Sequence, residues 1–259
     1  MIHSLLLGLI QGITEFLPIS SSGHLALAQS FFGFTEPVLA FDVALHGATM
    51  AATLVYFRRD VVTLGSQWFF GVLHPQARRM TGWFVGWAVI FGTLITVAIG
   101  LPLKPLVERL SMSVFAVGVA LIVTGLLLLL ADHLPRKGGS VSIRAGSVIG
   151  VAQGMAVIPG ISRSGVTIVA GLLSRLSPQE AFRFSFLLSL PAIAGAMILE
   201  LSDFSSIVMP PGWSLGVLCA GVSGYGALCL LHRVVTLGRW RWCAWYCLVV
   251  GGTAMFLGW

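Results

Sequence analysis

Long apolar runs separated by short polar segments dominate the chain. Six of them approach the roughly 20 residues that a helix needs to cross a hydrocarbon core. They are Val38–Phe57, Thr81–Gly100, Met112–Ala131, Ala181–Glu200, Trp213–Leu231 and Arg241–Gly258. Two further apolar stretches, about 3–32 and 146–174, do not read as plain spans. Pro18 and Pro159 interrupt them, and proline lacks an amide hydrogen and disfavours helix in the residue before it. A serine-bearing, glycine-containing turn follows each proline, then a short apolar helical run. Each stretch is expected to be a re-entrant pair of half-helices with the serine turn at its tip. Irregular backbone at membrane depth is tolerated only inside protein or against a wet cavity.

Composition agrees with this pattern. Only 9% of residues are charged, 57% are hydrophobic, and mean hydropathy is +0.95. A soluble domain carries roughly 25% charged residues, so the expected fold is an all-α polytopic membrane protein. The tripeptide "ALA" at 26–28 resembles a leader cleavage site. However, no Lys or Arg precedes the apolar run, and Gln11, Glu15 and Pro18 break it, so cleavage is not expected. Cys219, Cys229, Cys243 and Cys247 fall in expected spans without paired CxxC spacing and read as small apolar fillers. The net charge of +6 comes from arginine-rich loops, which suit anionic lipid rather than nucleic acid.

Those loops also orient the chain. Arg58, Arg59, Arg78 and Arg79 lie between the first two spans. Arg136, Lys137, Arg144 and Arg175 lie between the third and fourth, with Arg183 at the start of the fourth, and Arg233 and Arg239 lie between the last two, with Arg241 at the start of the last. The intervening loops are poorer in base: one holds Lys104 and Arg109 beside Glu108, the other only Asp203. Cytoplasmic loops carry the Lys/Arg excess, which places the first, third and fifth loops on the cytoplasmic side.

The two broken stretches are copies of one another. "GLIQGITEFLPISSSGHLALA" (8–28) aligns without gaps to "GVAQGMAVIPGISRSGVTIVA" (150–170), with 8 of 21 positions identical. Matched Gln11/Gln153, Ser20/Ser162 and Ser22/Ser164 go beyond what shared membrane composition produces. Each copy precedes three spans, an odd number, so the second half is expected to lie upside down relative to the first. The halves are 1–131 and 132–259. Inverted repeats of this kind place broken helices and their site near the bilayer midplane.

The tips carry the candidate chemistry. In the second, Ser162 and Ser164 are natural N-caps for a half-helix whose free amides and positive end form an anion site. Arg163 adds a planar donor fork suited to phosphate oxygens, and Thr167 follows one turn later. The first tip supplies Ser20, Ser21 and Ser22, with Glu15 before them and His24 after. A phosphate clamp, hydroxyls, an acid/base candidate and a carboxylate together match phosphoryl transfer, where positioning and charge stabilisation dominate. His24 would serve as base or nucleophile, and a serine hydroxyl or water would attack; the attacking atom stays open. Arg163 also suits a structural pair with Glu15 across the repeat, and Ser20 and Ser162 suit simple capping. Asp42 and His46 form an i, i+4 pair that reads first as structural. His3, His74, His133 and His232 lie in loops or at chain ends and receive no role.

At "QGITEFLPISSSGH", "PGISRSGVT" and "FSFLLSLP" (184–191) the sequence resembles the undecaprenyl-diphosphate phosphatase family, bacterial membrane enzymes linked to bacitracin resistance. The likeness extends over essentially the whole chain. It implies hydrolysis of a polyprenyl diphosphate to the monophosphate, recycling the lipid carrier for cell-wall synthesis. It also implies a site opening to the outer, periplasmic face of the inner membrane. Family functional positions fall on Glu15, Ser21 and His24 in the first tip and on Ser162, Arg163 and Thr167 in the second. The family further implies a divalent cation, Mg²⁺ or Ca²⁺, at a Glu/Gln-xxx-Glu pair that is Gln11 and Glu15 here. Gln11 removes one anionic ligand, although an amide oxygen still coordinates a hard cation. Gln11 and Gln153 have the alternative of hydrogen-bonding the turns. The rival function is a lipid-phosphate transporter or flippase, since broken helices in inverted repeats are transporter architecture. The oligomeric state is open, a homodimer included.

Overall fold

A computed structural model describes residues 1–32, 39–134, 138–202 and 209–258. Val38, Arg136, Lys137 and Asp203, used above for a span boundary and for loop charge, lie outside the described residues. The described chain forms eleven α-helices and no β-strand. They are α1 (Ile2–Phe16), α2 (Ser21–Phe31), α3 (Leu39–Tyr56), α4 (Arg58–Leu73), α5 (Thr81–Ser111), α6 (Val114–Ala131), α7 (Ile143–Met155), α8 (Arg163–Leu173), α9 (Pro178–Ser202), α10 (Trp213–Leu237) and α11 (Arg241–Leu257).

Small residues decide which helices meet. Lipid tails are as apolar as leucine, so helices associate in a bilayer by close backbone approach. Ser4, Gly8 and Gly12 on α1 face Gly216, Ala220 and Gly224 on α10; a Cβ on Gly12 would lie 2.5 Å from the Ala220 carbonyl oxygen. Gly146, Gly150 and Gly154 on α7 face Ala88, Gly92, Thr96 and Ile99 on α5 in the same way, and a Cβ on Gly150 would lie 2.5 Å from the Gly92 oxygen. Between α6 and α11, Gly118 and Gly251 would each place a Cβ 2.7 Å from the other's carbonyl oxygen. Each of these three pairs joins a helix from 1–131 to one from 132–259.

Four helices, α5, α6, α9 and α10, are long and apolar enough to cross a membrane, and the α3–α4 pair, bent by 75°, makes a fifth if it is one span. α11, expected as the sixth, is 17 residues long, at the lower limit for a hydrocarbon core. Two elements differ from expectation. α5 runs on to Ser111, through Pro102 and Pro105, where a span ending at Gly100 was expected. Residues 58–73, expected as a charged loop, are helical because "VVTLGSQWFFGVL" between the arginines is apolar enough to lie back on α5. There Trp68 covers Gly86, and Trp83 covers Gly71.

The two broken stretches each form a helix, a turn and a second helix. In the first, α1 stops at Phe16 and Leu17 turns extended before Pro18. Ser20 then caps α2, its Oγ accepting from the Gly23 amide at 3.3 Å. In the second, Ser162 caps α8 by accepting from Gly165 N at 3.2 Å. The turns touch. The Gly160 amide donates to Ser20 Oγ at 3.1 Å, Ser164 Oγ donates to the Leu17 carbonyl at 3.4 Å, and Gly23 packs on Gly160 as Gly165 packs on Pro18. α6 supports the second turn from behind, where Thr124 Oγ1 donates to Gly160 O at 2.8 Å and accepts from Ser162 N at 3.0 Å.

Candidate active site

Glu15 is the penultimate residue of α1 and is buried at 8% exposure. A buried carboxylate needs partners, because an isolated charge out of water is expensive. Ser21 Oγ donates to its Oε2 at 2.5 Å, and Gln11 Nε2 donates to the same oxygen at 3.1 Å. Oε1 takes an ion pair from Arg163 Nη2 on the other tip, and His46 Nε2 stands 3.8 Å from Oε2. One carboxylate thus gathers α1, α2, α3 and α8.

Arg163 is the first residue of α8. Its guanidinium carbon lies 5.8 Å from the centroid of the Phe186 ring, a cation–π distance. Nη1 is buried without a hydrogen-bond partner, so the fork retains donor capacity beside the carboxylate. The first turns of α2 and α8 open at this same junction, where helices leave amides unpaired and carry positive partial charge. Donors and positive potential therefore converge at this junction.

Ser20 reaches its position with φ of 71°, a left-handed conformation that costs a non-glycine residue roughly 1–2 kcal/mol. The cap to Gly23 and the cross-tip bond from Gly160 hold it there. Of the expected phosphate-binding hydroxyls, Ser20, Ser162, Ser164 and Thr167 are buried; Ser20 and Ser164 bond across the tips, while Ser162 and Thr167 bond within the second tip and its supports. Thr167 Oγ1 bonds the Arg163 carbonyl at 2.7 Å and Ser185 Oγ at 2.5 Å, and Ser162 and Ser164 face one another at 3.3 Å. Ser22 is exposed, with its Oγ 3.4 Å from Ser20 Oγ.

His24 lies one turn along α2 from Ser20, and its hydrogen bonds go elsewhere than to Glu15. Nδ1 bonds the Ser20 carbonyl at 2.7 Å, and Nε2 shares a bond with Tyr246 Oη at 2.8 Å. His46 is drawn nearer the centre than the i, i+4 pairing suggested. Asp42 takes the Gln29 amide on both oxygens at 3.1 Å, while His46 Nδ1 bonds the Asp42 main-chain carbonyl at 2.9 Å, which turns Nε2 to Glu15. Gln29, Phe186, Ser185 and Tyr246 were not singled out from the sequence. "FSFLLSLP" already contained Ser185 and Phe186, whereas a tyrosine in an apolar span gives no local signal.

The expected cation ligands fit poorly. A carboxylate only accepts, so the contact between them makes Gln11 present Nε2 to Glu15; its Oε1 is buried without a partner. Glu15 is, among the described residues, the one carboxylate paired with Arg163, which neutralises it. Among the described residues no group of three or more His, Cys, Asp or Glu side chains is placed to hold a metal ion. Ca²⁺ takes six to eight oxygens and Mg²⁺ a near-ideal octahedron, so these residues do not fit a cation held by the chain alone.

The fold and the site define an all-helical, multi-pass membrane protein in which two helix-capping turns share one buried carboxylate. The model of the bacitracin resistance protein BacA family matches residues 4–253, and the chain belongs to that family. It is 44% identical over 271 residues to an undecaprenyl-diphosphatase of Desulfosudis oleivorans, covering 99% of this chain and 98% of that one. It is 37% identical over 265 residues to an undecaprenyl-diphosphatase of Nocardioides sp., covering 99% and 96%. An undecaprenyl-diphosphatase of Desulforapulum autotrophicum is 44% identical over 275 residues, covering 99% and 98%.

Proposed function

We propose that this protein hydrolyses undecaprenyl diphosphate to undecaprenyl phosphate and inorganic phosphate, recycling the lipid carrier for peptidoglycan synthesis and conferring bacitracin resistance. One observation carries the reading: Ser21 and Arg163, from two separate tips, converge on Glu15. The fork and the amides of α2 and α8 take the terminal phosphate. Arg163 Nη1 meets a phosphate oxygen, and positive charge stabilises the transition state. Glu15 accepts the Ser21 proton, and Ser21 Oγ attacks the terminal phosphorus while undecaprenyl phosphate leaves. Water then cleaves the phosphoserine, with His24 as proton acceptor or donor.

The finer architecture proposed is six spans and two re-entrant segments in an inverted repeat. Supporting it, Gly8 and Gly150 hold the same place in the two copies and pack on equivalent glycine stripes of α10 and α5. The arginine-rich loops face the cytoplasm, and the tips open towards the periplasmic face of the inner membrane.

Phosphate release from undecaprenyl diphosphate by the purified protein in detergent tests the reading. Release that collapses in Glu15→Ala and Arg163→Ala is expected. Lipid-phosphate binding without release by the wild type would overturn it and favour a transporter.

A further inference from the structure

The last helix contributes a residue to the first tip. The Ser20 carbonyl only accepts, so His24 Nδ1, 2.7 Å away, must carry a hydrogen. A neutral His24 then has its lone pair on Nε2, and the atom facing that lone pair at 2.8 Å is Tyr246 Oη. The phenol O–H is the donor in this pair. The rings also stack, with centroids 5.5 Å apart and 11° between their planes, which fixes the tilt of the imidazole. Tyr246 lies on α11, which α6 holds through Gly118 and Gly251, and Cys247 beside it reaches the Pro18 carbonyl at 3.7 Å. α11 is therefore anchored to the same turn that His24 follows.

We infer that Tyr246 is a positioning residue for the phosphatase reaction. The Ser20 carbonyl sets the Nδ1–H tautomer, and Tyr246 holds the ring plane and covers Nε2, the proton-accepting nitrogen, until the lipid diphosphate or the attacking water displaces the phenol. No covalent step belongs to Tyr246 itself; on displacement its O–H turns to another acceptor and Nε2 becomes available. This rests on the reading of His24 as the proton acceptor of the proposed function.

The test uses full-length protein in detergent with undecaprenyl diphosphate. Tyr246→Phe keeps the ring stack and removes only the hydrogen bond. The expected result is kcat lowered roughly five- to tenfold, the scale of one lost hydrogen bond, with KM within twofold. The ¹⁵Nε2 resonance of labelled His24 should shift towards that of an imine nitrogen with no hydrogen-bond donor while Nδ1 keeps its hydrogen, a change that loosened packing alone does not produce. In a His24→Ala background Tyr246→Phe should have no further effect on kcat, because it acts through that ring. Unchanged ¹⁵N resonances in Tyr246→Phe, or an equal kcat loss with His24 absent, would overturn the inference. If His24→Ala is as active as wild type, the acceptor role of His24 falls and the inference with it, while phosphate release that still depends on Arg163 leaves the proposed function standing.

Discussion

Ser21 and Arg163 occupy the same place in the two copies of the repeated motif, and both bind Glu15. The carboxylate has no equivalent in the second copy, where Val157 stands, and His24 is matched by Val166. The scaffold is repeated but the chemistry is divided. One copy keeps the acid, the Ser21 hydroxyl and the imidazole, and the other supplies the guanidinium.

Removing Arg163 should harm both activity and folding. In Arg163→Ala, Glu15 loses its ion pair while remaining buried, and breaking one partner of such a pair costs about 3 kcal/mol. Phosphate release is expected to fall at least ~100-fold, and the thermal midpoint in detergent to fall with it. Arg163→Lys should recover part of the stability but little of the activity, since an ammonium lacks the fork that reaches Glu15 and a phosphate together.

Ser21→Ala separates the hydroxyl from the acid. Glu15 keeps Gln11 and Arg163, so stability should fall by about 1.5–3 kcal/mol, the worth of one hydrogen bond to a charged group. kcat should fall at least ~100-fold if the Ser21 oxygen attacks phosphorus. Trapping of labelled phosphate on the wild-type protein, lost in Ser21→Ala, is the accompanying measurement.

Gln11→Glu would place a second carboxylate one turn from Glu15, buried and with a like charge at i, i+4. Such a pair calls for a cation. The variant is therefore expected to be more sensitive to a chelator than the wild type, and more strongly restored by Ca²⁺ or Mg²⁺. Equal chelator sensitivity of the two proteins would show that position 11 does not govern cation demand.

Thr124→Val is nearly isosteric yet strips two partners from the second turn, the Gly160 carbonyl and the Ser162 amide. Each buried group left unpaired costs about 1–3 kcal/mol. Thermal stability should drop, and kcat should fall because α8 and Arg163 are set by that turn. By the packing rule, Gly150→Ala should cost about 2 kcal/mol through overlap with the Gly92 carbonyl. Gly252→Ala, where a Cβ meets nothing within 4 Å, should be neutral.

The tips were legible because polar residues repeat there: one glutamine and two serines recur in register within an apolar background. Glu15 and Arg163 were legible for a related reason, since ionisable groups are scarce at such depth. What composition hides is direction. Nothing in the sequence shows that Thr167 turns inward to Ser185, or that His24 faces Tyr246 rather than Glu15, because both outcomes satisfy the same pattern. α4 was missed because arginines at both ends of residues 58–79 outweighed the apolar stretch between them. The glycine stripes were visible as counts but not as pairings, since α1 and α10 are separated by most of the chain.

Those pairings bear on how the protein is made. α1 docks on α10, α5 on α7 and α6 on α11, so the two halves bury their glycine faces against each other. A chain emerging from the ribosome must hold its glycine faces against lipid until the second half arrives. The two halves should behave as obligate partners: produced as separate polypeptides, each would be degraded alone and recovered when both are present in one membrane.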